Sequence, residues 1–235
     1  MTGLPSWVTE LTDVLPAGRT GPAGPGGARP APATELRPGC PAVTLDVVHE
    51  WHLRTVVPLL TEATARSGRV TAACARLAAV HGRAREAVAV EEEEWFDVLE
   101  PVLRQVYRDA YGFQRAFAAA YENARSYAVA NGYDAAGAHR YGTDYAELTT
   151  EPNTRAFAEA NALANARAVA AAFATGDADA FARSFPAART RAYARAVAAG
   201  TGHAPRDVDA RFASAYTDLV RGLWSALHRT PVGPS

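Results

Sequence analysis

The chain has 235 residues, of which 49% are hydrophobic, and its 24 basic and 25 acidic side chains leave a formal net charge of −1. A chain of this size and balance suits one compact domain and has no overall charge that would attract nucleic acid or a membrane surface. It contains no lysine, which excludes Schiff-base chemistry, pyridoxal phosphate attachment and the phosphate-binding Walker lysine.

The cysteines and the N-terminus bear on localisation. The two cysteines, Cys40 and Cys74, form no Cys-x-x-Cys or Cys/His zinc spacing, so neither a disulfide scaffold nor a zinc module is indicated. The N-terminus lacks a basic segment followed by an apolar one, and no apolar run approaches the length of a membrane span. These features predict a cytoplasmic protein that does not engage membranes.

Residues 1–41 precede the predicted domain. A short amphipathic helix that docks on the body is predicted from four apolar residues at helical spacing, Trp7, Val8, Leu11 and Val14. Residues 15–41 then contain seven of the fifteen prolines, and such a composition favours a disordered, flexible linker.

Residues 42–235 are predicted to form a single all-α bundle of six or seven helices, because the apolar spacing is helical and no alternating strand pattern occurs. Proline and glycine divide this domain. The predicted segments are 45–66, 70–90, 101–131, 152–174, one after Asp177, one ending at Gly200 and one opening at Pro205, with a connection over 133–150.

Asparagine and tyrosine have an uneven distribution. Alanine makes up about a quarter of the chain and isoleucine is absent, a bias typical of GC-rich coding that also disfavours asparagine and tyrosine. Nevertheless all five asparagines lie between residues 123 and 165, and seven of nine tyrosines between 107 and 145. Function is therefore predicted between residues 107 and 165.

The favoured hypothesis is a small organic ligand bound in a pocket between the helices at 101–131 and 152–174, with 133–150 as a lid. Asparagine is unfavourable inside helices, so the three helical asparagines need a compensating role. Two such roles are open. The amides form either a polar wall for a ligand or an interhelical amide network that fixes the register of the helices. The predicted ligand-binding residues are Asn123, Tyr127, Arg140, Tyr141, Tyr145, Asn161 and Asn165.

The segment between those helices also offers acid/base groups. His139 titrates near neutrality and is the predicted general acid/base, with Asp144 or Glu147 as its orienting partner and Arg140 as an anion anchor. The absence of cofactor motifs fits a cofactor-independent tailoring enzyme of a biosynthetic pathway. Whether catalysis occurs is left open by the sequence.

Metal binding is not predicted. His49 and His52, with Asp46 and Glu50 beside them, have a spacing that superficially suits metal ligands. The Glu-x-x-His pairs of di-iron bundles are absent, as is a Cys/His set that would complete a zinc site.

One stretch resembles a known family. Residues 68–77, Gly-Arg-Val-Thr-Ala-Ala-Cys-Ala-Arg-Leu, followed by Val80-His81-Gly82, are similar to the helix-turn-helix of LysR-type regulators. The resemblance implies a DNA-binding regulator that uses residues 70–90, with Arg76, Arg83 and Arg85 on phosphates or base edges. No α/β effector domain follows, and nucleic acid is the less favoured partner.

A third hypothesis is a helical protein-interaction adaptor. The acidic run at 91–94 and the arginine-rich C-terminal helices would then meet partner proteins. The apolar seam of the helix at 101–131 also allows a homodimer.

Overall fold

The computed structural model describes residues 4–13, 43–65, 68–200 and 208–230. These ranges contain helices and no strand, which confirms the all-α prediction. The predicted linker at 15–41 lies outside the described residues. The helices are α1 (Ser6–Asp13), α2 (Leu45–Trp51), a π-helical turn (His52–Val56), α3 (Val57–Ala63), α4 (Gly68–Arg85), α5 (Glu92–Ala110), α6 (Phe113–Ala130), α7 (Ala135–Thr175), α8 (Ala178–Arg183), α9 (Pro186–Gly200) and α10 (Val208–Arg229).

Helix α1 packs on the body, as the spacing of its apolar residues predicts. The side chains of Trp7, Val8 and Leu11 are all buried. The Tyr216 hydroxyl on α10 donates to the Leu11 carbonyl at 3.0 Å, and the Trp7 ring meets Phe181 on α8 edge to face at 5.7 Å. Burial of about 1.5–3 kcal/mol for each large apolar side chain accounts for the docking of so short a helix.

Helices α2 and α3 are continuous through the π-helical turn. The Val57 N–H donates to the His52 carbonyl, five residues earlier. This wide turn immediately precedes Pro58, which has no N–H to donate to the Arg54 carbonyl and whose ring crowds a regular α-helical turn. At Pro58 the chain therefore widens its turn and stays helical from α2 into α3.

The π-helical turn lies against α10 at very short range. A Cβ atom added to Gly222 would stand 2.2 Å from Thr55 Oγ1 and 2.4 Å from Thr55 Cγ2. Only glycine at position 222 leaves room for the Thr55 side chain against α10. We expect Gly222→Ala to lower the free energy of unfolding by about 2 kcal/mol or more, through overpacking.

Denaturant titration measures that change, and Gly82→Ala in α4 is its matched control. A Cβ at Gly82 meets no heavy atom within 4 Å, so this substitution should stabilise the protein by up to about 1 kcal/mol. Equal effects of the two substitutions would contradict the close approach.

The single helix predicted over 101–131 is wrong. Helix α5 begins at Glu92, where three glutamates in its first turn complement the helix dipole, and ends at Ala110. Pro101 lies inside α5 rather than at its start. The chain breaks at Tyr111 and Gly112 before α6 begins.

The predicted connection at 133–150 is also wrong, since nearly all of it belongs to α7. Asp134 caps this helix by accepting from the Gly137 N–H at 2.6 Å. Gly142 is buried, and a Cβ there would stand 3.0 Å from the Tyr121 ring on α6. Gly142 thus serves close helix packing rather than lid motion.

The two halves of α7 have different surroundings. Its C-terminal half packs in the body against α5 and α8, and its buried residues there include Ala158, Ala162, Ala166, Val169 and Phe173. Its N-terminal half pairs with α6, and among the described elements α6 packs extensively on α7 alone. Residues 113–156 therefore form a two-helix extension of the bundle, here called the arm.

Candidate functional site

Three histidines are buried together in the body. His49 and His52 come from α2 and the π-helical turn, and His81 comes from α4; each is at most 4% exposed. The Nδ1 atoms of His49 and His81 lie 2.9 Å apart, so one ring donates and the other accepts. His52 Nδ1 donates to the Val48 carbonyl at 2.8 Å, which assigns the proton of that neutral ring.

Aromatic rings enclose this histidine cluster. Trp95 on α5 stacks on His49 at 5.5 Å, and Phe173 on α7 contacts all three imidazoles. Burial, with the nearby Arg85 guanidinium, lowers the pKa of His49 to about 4. Burial likewise lowers the pKa of His52 to about 3 and that of His81 well below its usual value.

The geometry makes the cluster a neutral part of the core. The His52 and His81 rings stack at 4.7 Å rather than converging on a common point. Among the described residues, no group of three or more His, Cys, Asp or Glu side chains is arranged to hold a metal ion. His81 was not singled out from the sequence, because only packing brings α4 against α2.

A second polar feature of the core is the Arg189 guanidinium on α9, which is 2% exposed. It donates to the Ser184 carbonyl at 2.9 Å and to Asn165 Oδ1 at 3.2 Å, and lies over the Phe181 ring at 5.2 Å. Within the described ranges no carboxylate is within ion-pairing distance of it. Asn165 thus joins α7 to α9 through this buried cation.

The other predicted asparagines do not meet Asn165 in a common wall. Asn123 is exposed on α6. Asn161 donates to the Phe157 carbonyl of its own helix at 2.8 Å, and Asn165 Nδ2 donates to the Asn161 carbonyl at 3.0 Å. These bonds compensate Asn161 and Asn165 locally for their positions inside a helix.

The predicted acid/base residues lie on the surface of the arm. His139, Arg140, Asp144 and Glu147 are all exposed. The ring of His139 bonds through Nδ1 to the Tyr121 hydroxyl at 2.8 Å. Two grooves found on the described surface are lined by other residues. The assignment of His139, Asp144 and Glu147 to catalysis stays a prediction.

The predicted tyrosines, in contrast, do come together. Tyr141 stacks between Tyr127 of α6 at 6.1 Å and Tyr145 of its own helix at 6.4 Å, and Tyr133 lies 5.9 Å from it. The exposed Leu148 follows Tyr145 on the same helical stripe. We call this surface of Tyr127, Tyr133, Tyr141, Tyr145 and Leu148 the tyrosine face.

The helix-turn-helix expectation does not match the geometry at 70–90. Residues 68–85 form the single helix α4, without the internal turn that the motif requires. Arg83 is paired with Glu94, and Arg85 lies 2.7 Å from Glu50. The acidic run therefore contributes to the first turn of α5 and holds a neighbouring arginine.

Comparison of the chain with protein-family models, with curated proteins and with solved structures finds no match. None of the described helices has the length and apolar character needed to cross a membrane. The function must therefore be inferred from the surfaces and side chains described above.

Proposed function

We propose that this chain is an interaction protein that self-associates through the tyrosine face of its arm. The proposal rests on the exposure of that face, which no other element packs against within the described part of the chain. Tyr127, Tyr133 and Tyr145 are 60%, 51% and 45% exposed, and Leu148 is 75% exposed. They adjoin one another across both helices of the arm.

A two-helix arm buries one stripe of each helix and leaves the rest to solvent. In this arm the inner stripes use small residues, including Ala124, Ala128, Ala138 and Ala146, so the helices approach closely and the large rings remain outside. Contiguous exposed apolar surface usually marks an interaction site. Tyrosine suits such a site because its ring packs while its hydroxyl stays hydrated.

The charges of the arm favour a second copy as the occupant. Residues 113–156 carry four arginines and five acidic residues, a near balance that gives two arms little net repulsion. Along one stripe of α7, Arg140 precedes Asp144, Glu147 and Glu151 at helical spacing. An antiparallel, two-fold pairing of α7 centred near Tyr145 places Arg140 of each arm opposite Glu151 of the other, beside the aromatic rings. The product is a four-helix arrangement of two arms.

The test is the molar mass in solution. At micromolar concentration we expect the wild-type chain to elute as a dimer, with a light-scattering mass of twice its 24.9 kDa. The double substitution Tyr145→Asp with Leu148→Asp should give a monomer, since it buries like charges at the two-fold axis. The expected weakening is about 100-fold or more, because each truncated central contact is worth about 1–3 kcal/mol.

The matched control is Ala119→Asp with Ser126→Asp, which adds the same two charges to exposed positions of α6, on another side of the helix. It should leave the dimer intact. A wild-type monomer at every accessible concentration would overturn the proposal. A dimer that survives both double substitutions would instead place the interface elsewhere.

A further inference from the structure

A groove separate from the arm lies between the π-helical turn and the C-terminal half of α10. Its volume is about 290 Å³, and its lining residues are Glu50, Arg54, Thr55, Asp218, Arg221, Gly222, Ser225, Ala226 and Arg229. The volume is close to the lower limit of ordinary small-molecule sites, about 300 Å³. The close approach at Gly222 holds the two elements that form its walls. π-Helical turns occur frequently at functional sites.

The groove carries an excess of positive charge around one carboxylate. The Glu50 side chain is only 6% exposed, and Arg85, Arg54 and Arg229 approach it at 2.7, 3.5 and 3.9 Å. Arg221 is held by Asp218 at 3.1 Å. Three guanidinium groups of the lining, together with Arg85 outside the lining, thus surround two carboxylates. Arg54 and Arg229, at the longer distances, are 67% and 58% exposed and can turn toward a ligand.

The buried carboxylate is incompletely bonded. Glu50 Oε2 has no hydrogen-bond partner in the described structure, although Arg85 Nη1 lies 2.7 Å away. The two observations agree if the contact is an ion pair whose angle does not suit a hydrogen bond. The other oxygen, Oε1, lies 3.5 Å from Arg54 and 3.9 Å from Arg229, which both line the groove, so Oε1 can accept from a donor that enters the groove.

We propose that this groove binds a small phosphate monoester that carries a free hydroxyl group. Arginine forks recognise phosphate through paired N–H donors, and Arg54 and Arg229 supply them at the mouth. A phosphate monoester bears close to two negative charges at neutral pH, which balances the two positive charges in excess. The hydroxyl of the ligand donates to Glu50 Oε1 at the floor. Thr55 and Ser225 add neutral hydroxyls to the lining.

Calorimetry with three probes tests each part of this recognition. Glycerol 3-phosphate should bind best, inorganic phosphate about tenfold more weakly, and glycerol without measurable heat. Arg54→Gln and Arg229→Gln, both at well-exposed side chains, should each weaken glycerol 3-phosphate about tenfold at low ionic strength. Arg104→Gln is the matched control: that exposed side chain pairs with Glu100 on α5, and its loss should leave binding unchanged.

Glu50→Gln separates the hydroxyl contact from the phosphate contact. It should reduce the preference for glycerol 3-phosphate over inorganic phosphate at least threefold while phosphate itself still binds. Circular dichroism reports whether each variant keeps its helices. The proposal is overturned by absence of binding at about 10 mM probe, or by equal losses in the groove variants and the Arg104→Gln control. An unchanged preference in Glu50→Gln would overturn the hydroxyl contact.

Discussion

Lowering the pH below 6.5 is expected to reduce the free energy of unfolding of this protein steeply, because its histidine cluster must become protonated. His49, His52 and His81 are buried as neutral rings, and burial lowers their pKa values, to about 4 for His49 and about 3 for His52. In the unfolded chain each ring titrates near a pKa of about 6.5. The unfolded state therefore binds more protons over this range.

The direction follows from proton linkage. The lowered pKa values cost almost nothing at pH 8, where folded and unfolded rings are both neutral. As the pH falls toward 4, each histidine favours the unfolded state by about 1.4 kcal/mol per pH unit. Three rings acting together remove about 4 kcal/mol per pH unit, against a typical total stability of about 5–15 kcal/mol.

Denaturant midpoints measured from pH 8 to pH 5 check this expectation. His81→Leu should lower the slope of stability against pH by about one third, since one of three protons is no longer taken up. His228→Gln is the control, because His228 is exposed near the end of α10. A slope of less than one proton near pH 5.5 would show that the cluster is hydrated or already charged in the folded state.

The second large effect is expected at Arg189. We predict that Arg189→Lys lowers the free energy of unfolding by about 3 kcal/mol, whereas Arg189→Met lowers it by about 1 kcal/mol. The lysine ammonium is shorter and more strongly hydrated than the guanidinium. It cannot bond Ser184 and Asn165 together, and it would leave a charge buried with too few acceptors.

Methionine removes the donors to Ser184 and Asn165 but also removes the buried charge. The free-energy cost of the lost hydrogen bonds is therefore offset, because no charge has to be desolvated when the variant folds. Chemical denaturation of both variants gives the comparison. Arg195→Lys, at an exposed position one and a half turns further along α9, should change stability by less than about 0.5 kcal/mol. If Arg189→Lys were tolerated better than Arg189→Met, the arginine fork would not be what α7 and α9 require.

The arm and the groove require different experiments because they use different parts of the chain. The tyrosine face belongs to α6, the turn after it and the first half of α7. The groove belongs to α2, the π-helical turn and α10. Loss of self-association in the arm variants should therefore leave phosphate binding intact, and the reverse should also hold.

Several helix boundaries were accessible from sequence because they depend on local chemistry. Asp177 caps α8 by accepting from the Ala180 N–H at 2.8 Å, and Gly176 ends α7 with a φ of +67°. The break at Gly112 and the uninterrupted course of α7 through Pro152 were not. Gly112 and Gly142 give the same local signal, but in α7 the closeness of Tyr121 makes Gly142 favourable within the helix.

The candidate sites likewise divide into one that the sequence indicated and others that only the structure revealed. Rarity of tyrosine in this composition directed attention to residues 107–165, and the tyrosine face lies there. The Glu50 groove and the Arg189 contacts were missed, because arginine and glutamate are common here and have no distinctive spacing. The groove becomes evident only when α2, the π-helical turn and α10 meet, and the Arg189 contacts only when α7, α8 and α9 meet.

By itself the sequence determined the helical class, the docking of α1 and the region rich in tyrosine, because helical periodicity, caps and composition are properties of neighbouring residues. Only the tertiary structure decided which side chains are buried from solvent. Burial turns His49, His52 and His81 into neutral core rings and leaves Tyr145 and Leu148 outside. That difference depends on contacts between distant segments, and no local pattern specifies it.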